Sequence, residues 1–501
     1  MRAYLLFLVC LSGVAVATAA ERPNVVLIYG DDVGYGDVSC SGQTTLSTPN
    51  IDRLAAEGVR FTDAHCSAAT CTPSRYAMLT GRYAFRQENS GIRPGDANLI
   101  IAPSTPTLPS QLRSVGYRTG VVGKWHLGLG DGPIDWNGDV RPGPNEIGFD
   151  YHFLLPATGD RVPCVYLEQG RVIDLDPTDP IAVSYGKRIG DAPTGAERPD
   201  LLKQRWSHGH NHTIVNGVSR IGYMTGGQAA RWVDEDMADV LVEHAHEFLD
   251  ASSEAPFFLF FSAHDIHVPR MPHSRFAGKS GLGPRGDAML QLDWCVGRLT
   301  EKLEALGVLD DTLVIFTSDN GPVLDDGYVD QANELLGDHV PAGPHRAGKY
   351  SMYEGGTRVP FVARWPERIA AGTVSDALLG QIDLAASLSA LTGAKLPVGG
   401  LPDSRDELDT LLGEDPVGRP HLVHEAKGLA LRMGPWKYVP AGKTRDGLGP
   451  WEVRNLSQPG SLYRVDDDPG ESRDLAAEKP QRLEAMRSLL DRIRAGQDGD
   501  R

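Results

Sequence analysis

The chain has 501 residues, with 49 basic and 66 acidic side chains and a formal net charge of −17. Its length predicts one large domain and a smaller one, and 41% hydrophobic residues can supply their cores. No run of basic residues is present, which argues against nucleic acid as a partner, because phosphate backbones need a concentrated positive surface. An acidic protein that binds anions must instead gather a few cations around one site.

Residues 1–20 carry one arginine near the start, then a short apolar run and a stretch of small residues. This pattern is typical of a cleaved secretory signal, because the apolar run is too short to span a bilayer and no stop-transfer segment follows it. We therefore expect a periplasmic or secreted protein without membrane insertion. Cys10 lies in this signal, and the preceding Leu8 and Val9 disfavour a lipoprotein processing site there.

The elements that follow alternate between strand and helix. Asn24 to Tyr29 is a continuous apolar run, typical of a strand buried on both faces, and Asp31 and Asp32 follow its carboxyl end. Residues 49–58 have helical spacing, and residues 59–61 begin another extended segment. This alternation predicts an α/β layer fold.

Three more buried strands are predicted at residues 117–122, 257–261 and 312–317. Each is followed by polar residues, which are Lys124 and His126, His264 and His267, and Asp319 and Asn320. Ligands of open, largely parallel sheets bind just beyond the carboxyl ends of the strands. We therefore expect four polar clusters to converge on one edge of the sheet.

The rest of the chain predicts loops and a second subdomain. Residues 136–225 are rich in Gly, Pro, Asp and His with weak periodicity, which favours insertions that shape a binding site. A Gly, Pro and acidic connector near residues 411–420 precedes alternating segments typical of antiparallel strands and a closing amphipathic helix at 481–495. The predicted organisation is a signal at 1–20, a catalytic domain at 21–415 and a C-terminal subdomain at 416–501.

Asp31, Asp32, Asp319 and Asn320 offer only oxygen donors, which suit Ca²⁺ or Mg²⁺ rather than zinc. Either aspartate pair alone is more often a turn or helix cap, but two pairs that each follow a buried strand favour a metal site. Nearby cations, such as Lys124 and Lys349, would suit a bound oxyanion.

Cys71 begins the stretch Cys71-Thr72-Pro73-Ser74-Arg75 at the start of a predicted helix, and such a stretch is hard to explain as packing. Other segments follow in a fixed order: Asp31 to Asp37, Gly123 to Gly128, Ser318 to Gly321, and a strand predicted over Glu354 to Pro360. Together they resemble the type I sulfatases, which depend on formylglycine. The resemblance covers nearly the whole mature chain and is strongest to bacterial carbohydrate sulfatases related to N-acetylgalactosamine-6-sulfatase and arylsulfatase A.

The resemblance implies an alkaline-phosphatase-like α/β core with a mixed, largely parallel sheet between helices, and a smaller C-terminal α+β subdomain with an antiparallel sheet. It implies hydrolysis of sulfate esters with one Ca²⁺, or alternatively Mg²⁺, and oxidation of Cys71 to Cα-formylglycine by a maturing enzyme. The hydrate of that aldehyde would supply the attacking oxygen. The implied metal ligands are Asp31, Asp32, Cys71, Asp319 and Asn320.

The resemblance also implies roles for the remaining polar residues. Arg75 would orient the aldehyde hydrate, and Lys124 and Lys349 would bind sulfate. His126 would be the base that releases sulfate from the hydrate, and His267 the acid toward the leaving oxygen, with His264 as the alternative acid. If Cys71 is converted, four cysteines remain (Cys40, Cys66, Cys164 and Cys295), which permit up to two disulfides or stay as buried thiols.

The implied substrate is a sulfated carbohydrate, and the expected sulfated sugar is 6-O-sulfated galactose or N-acetylgalactosamine. Candidate residues for recognising its hydroxyls or carboxylates are His208, His210, Arg270, His345 and Arg346, although histidines in loops are often plain surface residues. Two other function classes stay open. One is a phosphatase or phosphonate monoester hydrolase of the same superfamily, and the other is an inactive glycan-binding homologue.

Overall fold

The computed structural model describes residues 22–43, 45–252, 254–449 and 452–497. The secretory signal predicted for residues 1–20 lies outside these residues. The described part of the chain contains nine α-helices: α1 Pro49–Ala56, α2 Cys71–Thr80, α3 Leu108–Ser114, α4 Met237–Asp250, α5 Gly283–Ala305, α6 Glu354–Thr357, α7 Leu384–Thr392, α8 Leu408–Leu411 and α9 Pro480–Arg494.

The strands of the same ranges, in chain order, are β1 Asn24–Gly30, β2 Val59–Phe61, β3 Ala64–His65, β4 Arg118–Lys124, β5 Tyr151–Leu155, β6 Leu167–Glu168, β7 Arg171–Val172, β8 Ala182–Ser184, β9 Arg205–Trp206, β10 Ile214–Val215, β11 Val218–Ser219, β12 Tyr223–Thr225, β13 Phe257–Ser262, β14 Thr312–Ser318, β15 Tyr328–Val329, β16 Phe361–Arg364, β17 Thr373–Ser375, β18 Leu379–Gly380, β19 Leu422–Glu425, β20 Leu429–Met433, β21 Trp436–Val439, β22 Gly442–Arg445, β23 Val453–Leu456 and β24 Ser461–Arg464.

A mixed, largely parallel sheet of ten strands forms the centre of the molecule, in the order β17-β2-β16-β14-β1-β13-β4-β5-β6-β7. The five neighbours β14, β1, β13, β4 and β5 are parallel to one another, and β16 runs antiparallel to β14. Every residue of β13 and β14 is buried, as expected for apolar runs covered on both faces. The α/β fold class predicted from the sequence is confirmed.

Two groups of helices pack against this sheet. Helices α1 and α4 both contact α5, while α2, α3 and α7 contact one another. The buried side chains of strands and helices form one large hydrophobic cluster. This layer arrangement leaves the carboxyl ends of the parallel strands free to carry polar residues.

Two local predictions are wrong. Tyr151–Leu155, assigned to the insertions, is strand β5 of the central sheet, because its apolar run pairs in parallel with β4. The strand predicted over Glu354 to Pro360 is instead the short helix α6, and the next strand, β16, begins only at Phe361. The glycines of α6 allow tight packing, since a Cβ on Gly355 would lie 2.2 Å from the Ala347 carbonyl oxygen.

The C-terminal part forms an antiparallel sheet in the order β19-β20-β21-β24, as predicted. Helix α9 packs on β20 and β21 and buries Leu483, Met486, Leu490 and Ile493. The hairpin of β22 and β23 is separate from this sheet and lies beside the loop that carries Lys349.

All five cysteines of the described residues are free thiols, so the alternative of buried thiols fits the structure better than the alternative of disulfides. Four of them are buried, and Cys40 is partly exposed. No helix among the described residues is both long and apolar enough to cross a membrane.

Candidate active site

The carboxyl ends of three parallel strands bring charged side chains together. Strand β1 ends at Gly30, just before Asp31, and β14 ends at Ser318, just before Asp319. Lys124 is the last residue of β4, and its Nζ donates a hydrogen bond to Asp31 Oδ2. The polar residues that the sequence placed after separate strands therefore meet at one edge of the sheet.

The backbone at this edge is unusually tight. Gly123, just before Lys124, has φ +115°, and a Cβ there would lie 1.9 Å from the Ser262 carbonyl oxygen. Asp32 and His126 adopt left-handed backbone conformations, with φ of 64° and 58°. Such conformations cost free energy in residues other than glycine, and they cluster at functional sites.

Four donor atoms, one each from Asp31, Asp32, Cys71 and Asp319, lie within 4.8 Å of one another. Burial, and then the negative charge of Asp319, raises the pKa of Asp31 well above its usual range. Burial also raises the pKa of Asp32. Crowded carboxylates of this kind gain from a bound cation, because it offsets both desolvation and mutual repulsion.

Asn320 completes this group of oxygen donors. Its Nδ2 donates to Asp32 Oδ1 over 2.7 Å, whereas its Oδ1 is buried and has no hydrogen-bond partner in the part of the chain that the structure describes. A buried amide oxygen without a partner is costly in a native protein. Three carboxylates with a free amide oxygen therefore fit a hard divalent cation such as Ca²⁺ or Mg²⁺.

Three buried cations surround the carboxylates. Arg75 donates from Nε and Nη2 to Asp319 Oδ2 over 3.0 and 2.8 Å. Lys349 Nζ lies 2.8 Å from Asp32 Oδ1 and 2.9 Å from Asp326 Oδ2. These contacts hold the cations in fixed positions without removing their charge.

Cys71 is the first residue of α2, and its Sγ lies 3.7 Å from Asp31 Oδ1. Every residue of α2 is buried, and burial raises the pKa of the Cys71 thiol well above its usual range. Since the thiolate rather than the thiol is nucleophilic, the encoded side chain is a poor nucleophile at this place.

The ring of His126 is held in one tautomer. Its Nε2 lies 2.9 Å from the carbonyl oxygen of Arg93, which can only accept, so Nε2 carries the proton. Burial, followed by the charges of Arg161 and Lys124, lowers the pKa of His126 well below its usual range. Nδ1 is buried, has no partner among the described residues and keeps a lone pair that can accept a proton.

The two candidate acids differ in their contacts. His267 Nδ1 donates to the carbonyl oxygen of Val268 over 2.7 Å, and the residue lines the cavity at the site. His264 Nε2 accepts a hydrogen bond from the backbone N–H of Gly159 over 2.8 Å and does not line that cavity. The contacts thus leave Nε2 of His267 available and engage Nε2 of His264.

A small cavity of about 70 Å³ opens beside Cys71. From the sequence, His126, His267, Lys349 and His210 were expected near a site, and all four line it. Its other lining residues, which sequence reasoning missed, are Ile92, Asp160, Arg161, Asp326 and Tyr350. Asp160 and Arg161 follow strand β5, so recognising that strand would have pointed to them.

The newly found residues form two polar pairs. Arg161 Nη1 donates to Asp160 Oδ1 over 2.6 Å, and His210 Nε2 lies 2.9 Å from Asp160 Oδ2. Asp326 accepts hydrogen bonds from Lys349 and from the hydroxyl of Tyr350 over 2.9 and 3.0 Å. The cavity wall therefore carries both donors and acceptors suited to a hydroxylated ligand.

The other candidate recognition residues lie outside the cavity lining. The prediction that Arg270 recognises the substrate is wrong, because its guanidinium is buried and donates hydrogen bonds to three carbonyl groups and to Asp330. Arg346 is engaged by Asp446 and by the Glu471 carbonyl oxygen. His345 packs edge-on against Tyr35, and His208 contacts Ser207.

The chain is similar in sequence to known proteins along most of its length. Residues 23–394 match the sulfatase family model. The chain is 50% identical over 481 residues to N-acetylgalactosamine-6-O-sulfatase of Bacteroides thetaiotaomicron, covering 95% of this chain and 94% of that one. It is 34% identical over 513 residues to human arylsulfatase A, covering 97% and 89%.

The fold is also similar to that of a solved structure, which comes from work on the metabolism of multiple glycosaminoglycans by Bacteroides thetaiotaomicron. The TM-score is 0.92 with 49% sequence identity, over 95% of this chain and 100% of the other.

Proposed function

Because the chain belongs to the sulfatase family and is a sulfuric ester hydrolase, we propose that it removes the 6-O-sulfate of galactose or N-acetylgalactosamine in a sulfated saccharide. The observation that carries the proposal is the cavity in which Cys71, Lys349, His126 and His267 meet polar residues suited to sugar hydroxyls. The name of the bacterial relative supports the choice of sugar and sulfate position.

The proposed metal ligands are Asp31, Asp32, Asp319, Asn320 and the modified Cys71. The crowded carboxylates and the unpartnered amide oxygen of Asn320 support one Ca²⁺ or Mg²⁺ here. Such an ion, when bound, supplies Lewis-acid stabilisation of charge on the sulfate oxygens.

We propose that Cys71 is oxidised to formylglycine by a maturing enzyme, as the family resemblance implies. Burial raises the pKa of the encoded thiol, so an unmodified Cys71 would stay protonated and be a poor nucleophile, and the proposed reaction therefore needs the modified residue. The modified residue supplies the oxygen that attacks sulfur. Arg75, already fixed by Asp319, would orient that residue.

Around the reacting group, each side chain has a defined task. Lys124 and Lys349 hold the nonbridging sulfate oxygens, and both are pre-oriented by carboxylates. His267 donates a proton from Nε2 to the leaving sugar oxygen, so it must be protonated once the anionic sulfate is bound. His126 accepts a proton at Nδ1 in the step that regenerates the enzyme.

The sugar hydroxyls would form hydrogen bonds with Asp160, Arg161 and His210 in the cavity wall. Asp160 and His210 form one hydrogen-bonded pair, and Arg161 adds N–H donors beside them. Acceptors and donors in this fixed arrangement distinguish hydroxyl positions, because an unmatched hydroxyl leaves buried polar groups without partners.

Two further proposals concern the whole chain. We place the boundary between the catalytic domain and the C-terminal subdomain between residues 415 and 416, after α8 and before β19. We also propose that the protein is exported to the periplasm or beyond, where polymeric saccharides are found.

The test is sulfate release by protein made in a host with the maturation machinery. Saccharides sulfated at O2, O3, O4 or O6 of galacto- and gluco-configured sugars are compared, with matched phosphate esters and the Cys71→Ser variant as controls. We expect preference for a 6-O-sulfated galacto-configured sugar. A preference for a gluco-configured or 2-O-sulfated sugar would contradict the proposed substrate, and faster phosphate release would contradict the proposed reaction.

A further inference from the structure

The hairpin of β22 and β23 packs on the loop that carries Lys349 and Tyr350. Ser351 Oγ donates to the Arg445 carbonyl oxygen over 2.7 Å, and the Met352 N–H donates to Thr444 Oγ1 over 2.9 Å. The C-terminal part of the chain therefore contributes directly to the surroundings of the cavity.

Arg445 in this hairpin has no carboxylate partner among the described residues. The neighbouring Arg346 is paired with Asp446 over 2.5 Å, and Arg454 approaches the same carboxylate at 3.9 Å. Arg445 Nη1 donates to the carbonyl oxygen of Gly449 over 2.9 Å, while its Nε is buried and has no partner within the described ranges. A half-buried guanidinium without an anion is unusual in a chain of net charge −17.

The guanidinium of Arg445 is held beside the cavity by an aromatic ring. Its central carbon lies 4.6 Å from the centre of the Tyr350 ring, and Tyr350 lines the cavity. The Tyr350 hydroxyl is fixed by Asp326, and its backbone N–H donates to the Ala69 carbonyl oxygen over 2.7 Å. Since Nη1 already donates to Gly449 and Nε is buried, Nη2 is the nitrogen of Arg445 that can donate a charge-assisted hydrogen bond to an oxyanion.

We propose that Arg445 is a specificity-determining residue that binds an oxyanion on the sugar next to the sulfated one. This inference rests on the proposed function, because it assigns the neighbouring sugar to the Tyr350 side of that same site. The shared chemistry is a carboxylate or a second sulfate group.

The test measures binding in the Cys71→Ser background, so that the saccharide is not consumed. Four ligands are titrated: the 6-O-sulfated N-acetylgalactosamine monosaccharide, its disaccharide with a neighbouring uronate, the same disaccharide with the carboxylate reduced to an alcohol, and a disaccharide whose neighbouring sugar carries a sulfate instead. We expect the uronate disaccharide to bind about tenfold more tightly than the reduced one, the size of one hydrogen bond to a charged group.

Arg445→Gln should remove this tenfold difference and leave binding of the monosaccharide unchanged. The matched control is Arg454→Gln, which changes a guanidinium on the same hairpin that already has Asp446 nearby and should preserve the difference. If the second sulfate strengthens binding as much as the carboxylate does, Arg445 binds both groups. If only the carboxylate strengthens binding, the group that Arg445 binds is the uronate.

Two results would overturn the inference while leaving the proposed function intact. One is that neither the carboxylate nor the second sulfate improves binding by the Cys71→Ser protein over the reduced disaccharide; a gain from the second sulfate alone would instead assign the bound oxyanion to sulfate. The other is an equal loss for all four ligands in Arg445→Gln, which would mean that Arg445 only supports the Tyr350 loop. If the parent protein binds none of the four ligands, both the inference and the proposed substrate are wrong.

Discussion

Two clusters of buried charges in this molecule have similar residues, but carboxylates are in excess in one and cations in the other. The catalytic cluster consists of Asp31, Asp32, Asp319, Asp326, Arg75, Lys124 and Lys349. The second charge cluster, between the catalytic region and the C-terminal sheet, consists of Asp63, His65, Glu354, Arg358, His424, Arg432 and Lys437. Each contains donor atoms close enough to hold a metal ion.

The difference lies in the balance of charge. The catalytic cluster has four carboxylates and three cations. Burial raises the pKa values of Asp31 and Asp32, whereas Arg75 and Lys349, although burial opposes them, lower those of Asp319 and Asp326. In the second charge cluster, two carboxylates face three cations. Although burial opposes it, Arg432 holds the pKa values of Asp63 and Glu354 well below their usual range. Donor geometry alone therefore does not make a metal site, because a cation also needs negative charge that the protein has not neutralised.

The largest effect is expected from the removal of a carboxylate from the catalytic cluster. Asp319→Ala should lose the metal ion and at least about 10³-fold in kcat/KM, because a metal stabilises the transition state by several kcal/mol. Metal content, initial rates and thermal unfolding are measured together, since Arg75 also loses its partner. The control is His424→Gln in the second charge cluster, which should keep its metal content, and full activity of metal-free protein would contradict the site assignment.

Beside the catalytic cluster, substitutions of His267 and His264 should have different effects on the two types of substrate. His267→Ala should slow sulfated sugars by about 10² to 10⁴-fold but activated aryl sulfates far less, because a general acid matters most for a basic leaving group. His264→Ala, whose Nε2 binds the Gly159 N–H, should affect both substrate types alike. A selective loss in His264→Ala instead would show that the acid is His264.

In the second charge cluster, the expected effect is on stability rather than on chemistry. Lys437 Nζ lies 2.9 Å from Glu354 Oε1 and 2.8 Å from His424 Nδ1. Lys437→Met should lower the free energy of unfolding by about 3 kcal/mol, because it leaves a buried carboxylate with one cation fewer. Denaturant unfolding measures this, with the exposed Lys443→Met as control. An unchanged stability would mean that Arg432 and Arg358 suffice for Glu354.

The same contrast explains what the sequence could predict. Strands β1, β13 and β14 were visible as continuous apolar runs, and Asp31 and Asp319 were visible because they directly follow two of them. Strand β5 was hidden among glycines and prolines, so Asp160 was missed with it. The pairing of Arg432 with Asp63 spans 369 residues, and no local pattern can report such a contact.

The smallest expected effect is that of a substitution at Asp326. This residue lies in the catalytic cluster but belongs to no motif recognised in the sequence. Its carboxylate holds Lys349 Nζ and the Tyr350 hydroxyl, so it positions one cation that we propose binds sulfate and one wall of the cavity. Asp326→Asn keeps the shape but removes the charge, and we expect kcat/KM to fall by about tenfold, the size of one charge-assisted hydrogen bond. Steady-state kinetics on a sulfated monosaccharide measures this, with Asp325→Asn as the neighbouring control. Because Asp32 still holds Lys349 over 2.8 Å, a loss above about 10³-fold would mean that Asp326 takes part in the reaction itself.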